Sequence, residues 1–248
     1  MQFNLRYTTL LLFYSLVTTN LFSQSVLANR KKPAKQPQER EEIVFNLPTP
    51  PSVGIPQGRH KGGGSRNYCH NQQNLTALVP INNKIVWGKT TATHPEFLFY
   101  LPQGSEIEFV LQDETDNYVY FTSRQILPER KGIVSISIPQ TATPLENQKT
   151  YQWTLSVSCN NNDSESFVYV QGSMEKVALE PKINTQLQTA NELEKAVIYA
   201  REGIWYDAIA TLAQLRQDNP DDTQINSMWN ELLEQVDLTE ISSQPMLK

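Results

Sequence analysis

Cysteine and histidine are both scarce in this chain: two cysteines and three histidines among 248 residues. Two cysteines cannot build a disulfide miniprotein, and three histidines leave little material for metal or proton chemistry. An excess of positive charge is also missing. With 21 Lys and Arg against 26 Asp and Glu, the formal net charge is −5, which argues against non-specific nucleic-acid binding, since that needs a basic surface to displace phosphate counterions. The GxSxG elbow, the HExxH zinc motif and the dinucleotide fingerprint do not occur. What is present is 39% hydrophobic residues, too much for a wholly disordered protein.

Apolar residues open the chain. The stretch from Thr8 to Phe22 follows the single charge Arg6, and Val26-Leu27-Ala28 gives a small-x-small site ahead of Asn29-Arg30-Lys31-Lys32. A bilayer-crossing helix needs about 20 mostly apolar residues. The run is shorter, so residues 1–28 read as a secretory signal peptide, with an uncleaved N-terminal anchor as the alternative. Nothing later approaches spanning length, so no stable membrane span is expected after cleavage. Export to the periplasm or the extracellular space follows as an expectation. Without the leader, the net charge runs from +5 over residues 29–70 to −4 over 71–179 and −7 over 180–248.

Three segments with different patterning follow the leader. Residues 29–66 hold six prolines and five glycines and predict a disordered, basic linker. Within it, Ile43-Val44-Phe45 is a candidate short strand or docking motif. Lys61-Gly62-Gly63-Gly64-Ser65 lacks the GxxxxGK[ST] spacing of a phosphate loop and reads as spacer. Residues 67–179 predict a β-sandwich domain. Strands are expected at 75–79, 84–89, 96–101, 106–112, 118–127, 132–138, 151–159 and 166–177, separated by Pro, Gly, Asn and Asp turn signals. Leu145 lies six residues before Tyr151, whose parity Trp153, Leu155, Val157 and Cys159 share. That phrase resembles the strand entry of immunoglobulin-like and fibronectin-type sandwiches, where a corner tyrosine bonds the upstream backbone.

From residue 180 to 241 the apolar period becomes helical. Ile225, Met228, Trp229, Leu232, Leu233 and Val236 make one stripe, started by Pro220 and Asp221-Asp222. Residues 189–222 resemble a single tetratricopeptide repeat, with Tyr199, Gly203, Ala208, Leu212 and Pro220 in register. Thr189-x-x-Glu192 is a candidate capping box for its first helix. The 225–236 helix then caps the hairpin, and 242–248 is a tail.

Few residues are candidates for chemistry. Cys69 and Cys159, 90 apart, predict one disulfide. Closing so long a loop contributes about 4.6 kcal/mol in the chain-entropy model. A reactive thiol beside His70 is the alternative. His60, His70 and His94 show no zinc spacing. Asp113-Glu114-x-Asp116 is an acidic hairpin tip without the order of a calcium loop. No catalytic, metal or cofactor residue is assigned. Trp205 and Tyr206, near the turn of the helical hairpin, are candidate partner-binding aromatics, with packing inside the protein as the alternative.

Several phrases occur in a fixed order: Leu75 to Pro80, Thr90-Thr91 through Tyr100, Gly132 to Ser135, Leu145 to Cys159, and Tyr199 to Ala208. Over residues 66–241 the chain resembles the cyanobacterial domain-of-unknown-function family 928. That resemblance implies export and a sandwich followed by helices, and no reaction. The functional expectation is a non-enzymatic binding module of the cell envelope, with an envelope protein or glycan as partner. A carbohydrate-active protein or hydrolase using Asp113, Glu114 and Asp116 is one alternative, and a self-assembling structural subunit is another.

Overall fold

The computed structural model describes residues 42–51, 57–64, 69, 72–115, 117–122, 125–127, 130–160 and 163–247. The chain divides into two units, Met1–Arg40 and Glu41–Lys248. The expected signal peptide lies in the first, outside the described residues.

The second unit is mostly β, with helices at its C-terminal end. Its strands are β1 (Arg59–Gly64), β2 (Thr76–Ala77), β3 (Ile81–Asn82), β4 (Ile85–Thr90), β5 (Glu96–Leu101), β6 (Glu106–Asp113), β7 (Tyr118–Phe121), β8 (Gln125–Ile126), β9 (Gly132–Ser137), β10 (Lys149–Asn160) and β11 (Asp163–Lys176). They join in one sheet of order β7-β6-β10-β11-β1-β2-β5-β9, with β8 on β6 and the β3–β4 pair on β11. All pairings among the named strands are antiparallel except β4 on β11, which is parallel.

Alternation explains which face is buried. On β6, Ile107, Phe109 and Leu111 point inward, and on β10 so do Tyr151, Trp153, Leu155 and Val157. The sheet curls until β5 faces these strands. Phe97 and Phe99 meet Phe109 at ring distances of 4.9 and 6.0 Å and Trp153 at 6.2 and 5.5 Å. Each ring removed from water contributes about 2–3 kcal/mol. The Tyr151 hydroxyl accepts from the Glu146 N–H at 2.9 Å, which pins the corner entering β10.

Two parts of the expected linker behave differently from its composition. The glycine run is strand β1, which bridges the two halves of the sheet: Gly63 pairs with Tyr169 of β11, Lys61 with Thr76 of β2, and the Gly62 N–H donates to Leu75 O at 2.7 Å. Backbone pairing needs no side chain, so a glycine-rich strand leaves no apolar signature. Residues 42–51 lie outside any helix or strand, with Ile43 and Phe45 buried. The tail also is tied down: Leu247 N–H donates to Ile133 O at 2.8 Å along the edge of β9.

The helices are α1 (Pro181–Thr189), α2 (Glu192–Arg201), α3 (Trp205–Asp218), α4 (Thr223–Glu234) and α5 (Thr239–Ser242). The capping box is two residues later than expected. Asn191 and Glu194 form it, because Thr189 completes α1 and donates to Gln186 O. Asp222 caps α4 by accepting from Gln224 N and Ile225 N. Gly203 turns α2 into α3 at φ +70°, and a Cβ there would sit 2.7 Å from Asn46 O. No helix among the described residues is long and apolar enough to cross a membrane.

Helix α3 seats on the sheet at Gly88 of β4. A Cβ on Gly88 would lie 3.0 Å from the Tyr206 ring and 3.2 Å from Trp205 Cβ. Gly88→Val therefore overpacks this seam, and the expected loss is about 2–3 kcal/mol. A urea midpoint unchanged from that of the parent chain would show that α3 does not depend on the close approach.

A candidate binding face and a sealed interior

Three features account for most of the residues with chemical potential, and two of them are internal. Cys69 and Cys159 are joined in a disulfide with Cα atoms 5.0 Å apart. It ties the segment ahead of β2 to the end of β10, as their spacing predicts. Disulfides persist in oxidising compartments.

Trp205 and Tyr206 are buried, at 0% and 2% exposure, and present nothing to a partner. The indole of Trp205 donates to Leu78 O at 2.8 Å, and its ring meets Phe45 edge-on at 4.9 Å. The Tyr206 hydroxyl accepts from the Trp153 indole N–H at 2.7 Å and lies 3.5 Å from Ser173 O. Burial pushes the Tyr206 hydroxyl pKa up, with Trp153 pulling the other way. Amphipathic aromatics near a turn suit an interface in either direction, and here the interface is with the protein's own sheet.

Asp207, the next residue, is a buried anchor to which sequence reasoning assigned no role. One carboxylate oxygen accepts from Thr90 Oγ1 at 2.7 Å and Thr91 N at 3.0 Å, and the other accepts from Thr91 Oγ1. Burial pushes this carboxyl above the usual carboxylate range, while the two threonines and Lys176 pull it back. Lys176 donates to Asn147 Oδ1 at 2.8 Å, and burial lowers its pKa. The only cue in the sequence is an acid in the first turn of a helix, which suits the macrodipole at any helix start.

The other acidic and histidine candidates are separate from one another. Asp113 accepts from Thr115 N, Thr115 Oγ1 and Asn117 N through one oxygen and from Asn117 Nδ2 through the other. These bonds, the side-chain bonds from Thr115 and Asn117 above all, lower its pKa to about 2. It closes its own turn. Asp116 and His70 lie outside the described residues. His94 bridges Thr93 Oγ1 and Ala142 O. Among the described residues, no group of three or more His, Cys, Asp and Glu comes together that could hold a metal ion.

What stays open is the outer face of the sheet. Here β6 presents Glu106, Glu108, Val110 and Gln112, and β10 presents Gln152, Thr154, Ser156 and Ser158. Aromatic residues flank this polar strip on both sides. On β7, Tyr118 and Phe121 stack edge-on at 6.3 Å and are 70% and 50% exposed, and further along β6 the exposed Ile126 of β8 pairs with Glu106. On β11, Phe167 is exposed opposite Ser158, and Tyr169 carries the Arg59 guanidinium at 4.8 Å from its ring centre. The two rails are three strand spacings apart, about 14 Å. A hollow of about 180 Å³ lies against the β11 rail, lined by Glu106, Ile107, Glu108, Ser156, Ser158, Ser166 and Phe167. This face was not recognised as a site from the sequence: Tyr118 and Phe121 differ in parity and come to the same face because the β6–β7 register shifts between Leu111 and Gln112.

Residues 61–246 match the family described as Domain of Unknown Function (DUF928). The chain belongs to this family. Comparison with curated proteins finds no match. The DUF928 segment starts inside β1 and ends at Met246, beside the edge of β9. It therefore contains the outer face, the disulfide and the Asp207 anchor.

His60, one residue ahead of the DUF928 segment, yields a pH-dependent prediction. It is 9% exposed on β1, its Nε2 lacks a partner, and burial, helped by Lys61, lowers its pKa to about 4. The unfolded chain takes up this proton near pH 6.5 and the folded protein near 4, so stability is full above 6.5 and falls as pH drops through that window. The expected loss is about 3 kcal/mol. Urea unfolding between pH 7 and 4 measures it, and a slope unchanged by His60→Phe would contradict it.

Proposed function

We propose that this protein is an exported, non-enzymatic binding module of the cell envelope, and that its ligand is a glycan strand laid across the outer face of the sheet. The observation that carries this reading is the pair of aromatic rails around a strip of hydroxyls and carboxylates. A sugar ring has apolar C–H faces that stack on aromatic rings and hydroxyls on its rim that bond to Ser, Thr and Glu side chains. A single exposed aromatic would need no explanation, whereas apolar side chains grouped around polar ones mark a surface used for contact.

The architecture fits such a role. The curled sheet reads as an immunoglobulin-like sandwich, supported by the Tyr151 corner bond to Glu146. The α2–α3 pair reads as a tetratricopeptide-like hairpin, supported by Gly203 at the turn and fully buried Ala208. Both are recognition scaffolds elsewhere, which is support by analogy. Export is supported by the apolar N-terminus and by the disulfide.

Binding of β-1,4-linked glucose and N-acetylglucosamine hexamers, followed by calorimetry, tests the ligand class. At least one hexamer is expected to bind. Phe121→Ala and Phe167→Ala are each expected to weaken it about tenfold, equivalent to about 1.4 kcal/mol, with unchanged thermal unfolding because both side chains are exposed. Absence of binding by both hexamers, or binding indifferent to both substitutions, would overturn the proposal.

A further inference from the structure

Residues 42–51 form a strap with an unusual mode of attachment. It alternates Ile43 and Phe45 inward with Val44 outward, yet none of its residues belongs to a strand of the sheet. Instead, one side chain grips its backbone. Gln235, at the end of α4, accepts from Phe45 N at 2.8 Å and donates to Ile43 O at 3.0 Å. A side-chain amide used this way pairs with a peptide backbone as a neighbouring strand would.

The next residue answers a different need. The last carbonyls of a helix lack intrahelical partners. Asn46 supplies donors to two of those on α2: its N–H to Ala200 O at 3.1 Å and its Nδ2 to Arg201 O at 2.6 Å. Phe45 packs edge-on against Trp205, and Pro48 O accepts from Asn82 Nδ2 at 3.2 Å.

Two further observations separate this groove from an ordinary part of the core. Every group that holds the strap lies within the family segment, residues 61–246, while the strap lies outside it. And the groove does not end with the strap. Beside Leu47 it opens into a cleft of about 560 Å³, lined also by His60, Pro80, Ile81, Val236 and Asp237, within the size range of ligand-binding clefts.

We propose that this groove is a docking site for an extended peptide of the pattern apolar-x-aromatic-Asn, and that residues 42–51 occupy it in cis. The Gln235 clamp and the α2 carbonyls recognise backbone and the Asn amide. The pockets for Ile43 and Phe45 select side chains, and the flanking cleft takes residues beyond the Asn. The site is distinct from the outer sheet face and stands whether or not that face binds glycan.

The test uses the full chain carrying Ile43→Asp and Phe45→Ala, which releases the strap, and a fluorescent peptide of residues 42–51. By anisotropy, the opened chain is expected to bind the peptide at least tenfold tighter than the unaltered chain does. It should also prefer that peptide at least tenfold over one carrying the same two substitutions. A folded variant, with native circular dichroism and intact disulfide, that shows no such preference overturns the proposal. If the variant does not fold, hydrogen exchange on the unaltered chain decides. Phe45 and Asn46 amides exchanging at least tenfold faster than those of the β10–β11 ladder support a separable strap, and equal protection overturns it.

Discussion

The seam between α3 and the sheet is the constraint on which the rest of the structure depends. An open curled sheet exposes the ends of its inner rows, and a lone helical hairpin cannot bury its own apolar face. The first turn of α3 meets both needs together. Trp205 reaches the Leu78 carbonyl, Tyr206 reaches the indole of Trp153, and Asp207 holds Thr90 and Thr91. Three consecutive residues thus satisfy buried polar groups on β4, β10 and the segment after β2. Each such group would cost about 1–3 kcal/mol if left unpaired. Gly88 is the counterpart that lets the helix come close enough.

The same seam occupies two buried titratable groups. Asp207 and Tyr206 are titratable and buried, the profile of a functional site, but the oxygens of Asp207 are committed to threonines and Tyr206 to Trp153. The disulfide is likewise structural, fixing Cys69 to the end of β10. Among the described residues, the outer rows of β6, β10 and β11 and the strap groove are surfaces that another molecule can reach.

How far the sequence foretold this depends on whether side chains or backbone carry the information. Period-two alternation placed a strand at 106–112, observed as Glu106–Asp113, because Ile107, Phe109 and Leu111 form its buried face. The stripe from Ile225 to Leu233 is buried as its spacing required, and the cysteine pair is a bond. Strand β1 was invisible because a glycine run pairs through backbone alone. Ile43 and Phe45 were noticed but averaged away by the prolines around them. Trp205 and Tyr206 were legible as interface residues, and of the two readings the sequence allowed, a partner or the protein's own body, the structure shows the second. Asp207 needed Thr90 and Thr91, 117 and 116 residues away, and no local pattern encodes that distance.

Nuclear magnetic resonance decides whether recognition belongs to the outer face of the sheet. Amide shifts of the isotope-labelled chain, followed while a β-1,4-linked N-acetylglucosamine hexamer is added, report where the ligand sits. Shifts are expected to concentrate at Tyr118, Phe121, Glu108, Ser156 and Phe167, with α2 to α4 unmoved. Shifts centred on the helices or the strap, with the outer rows silent, would contradict it.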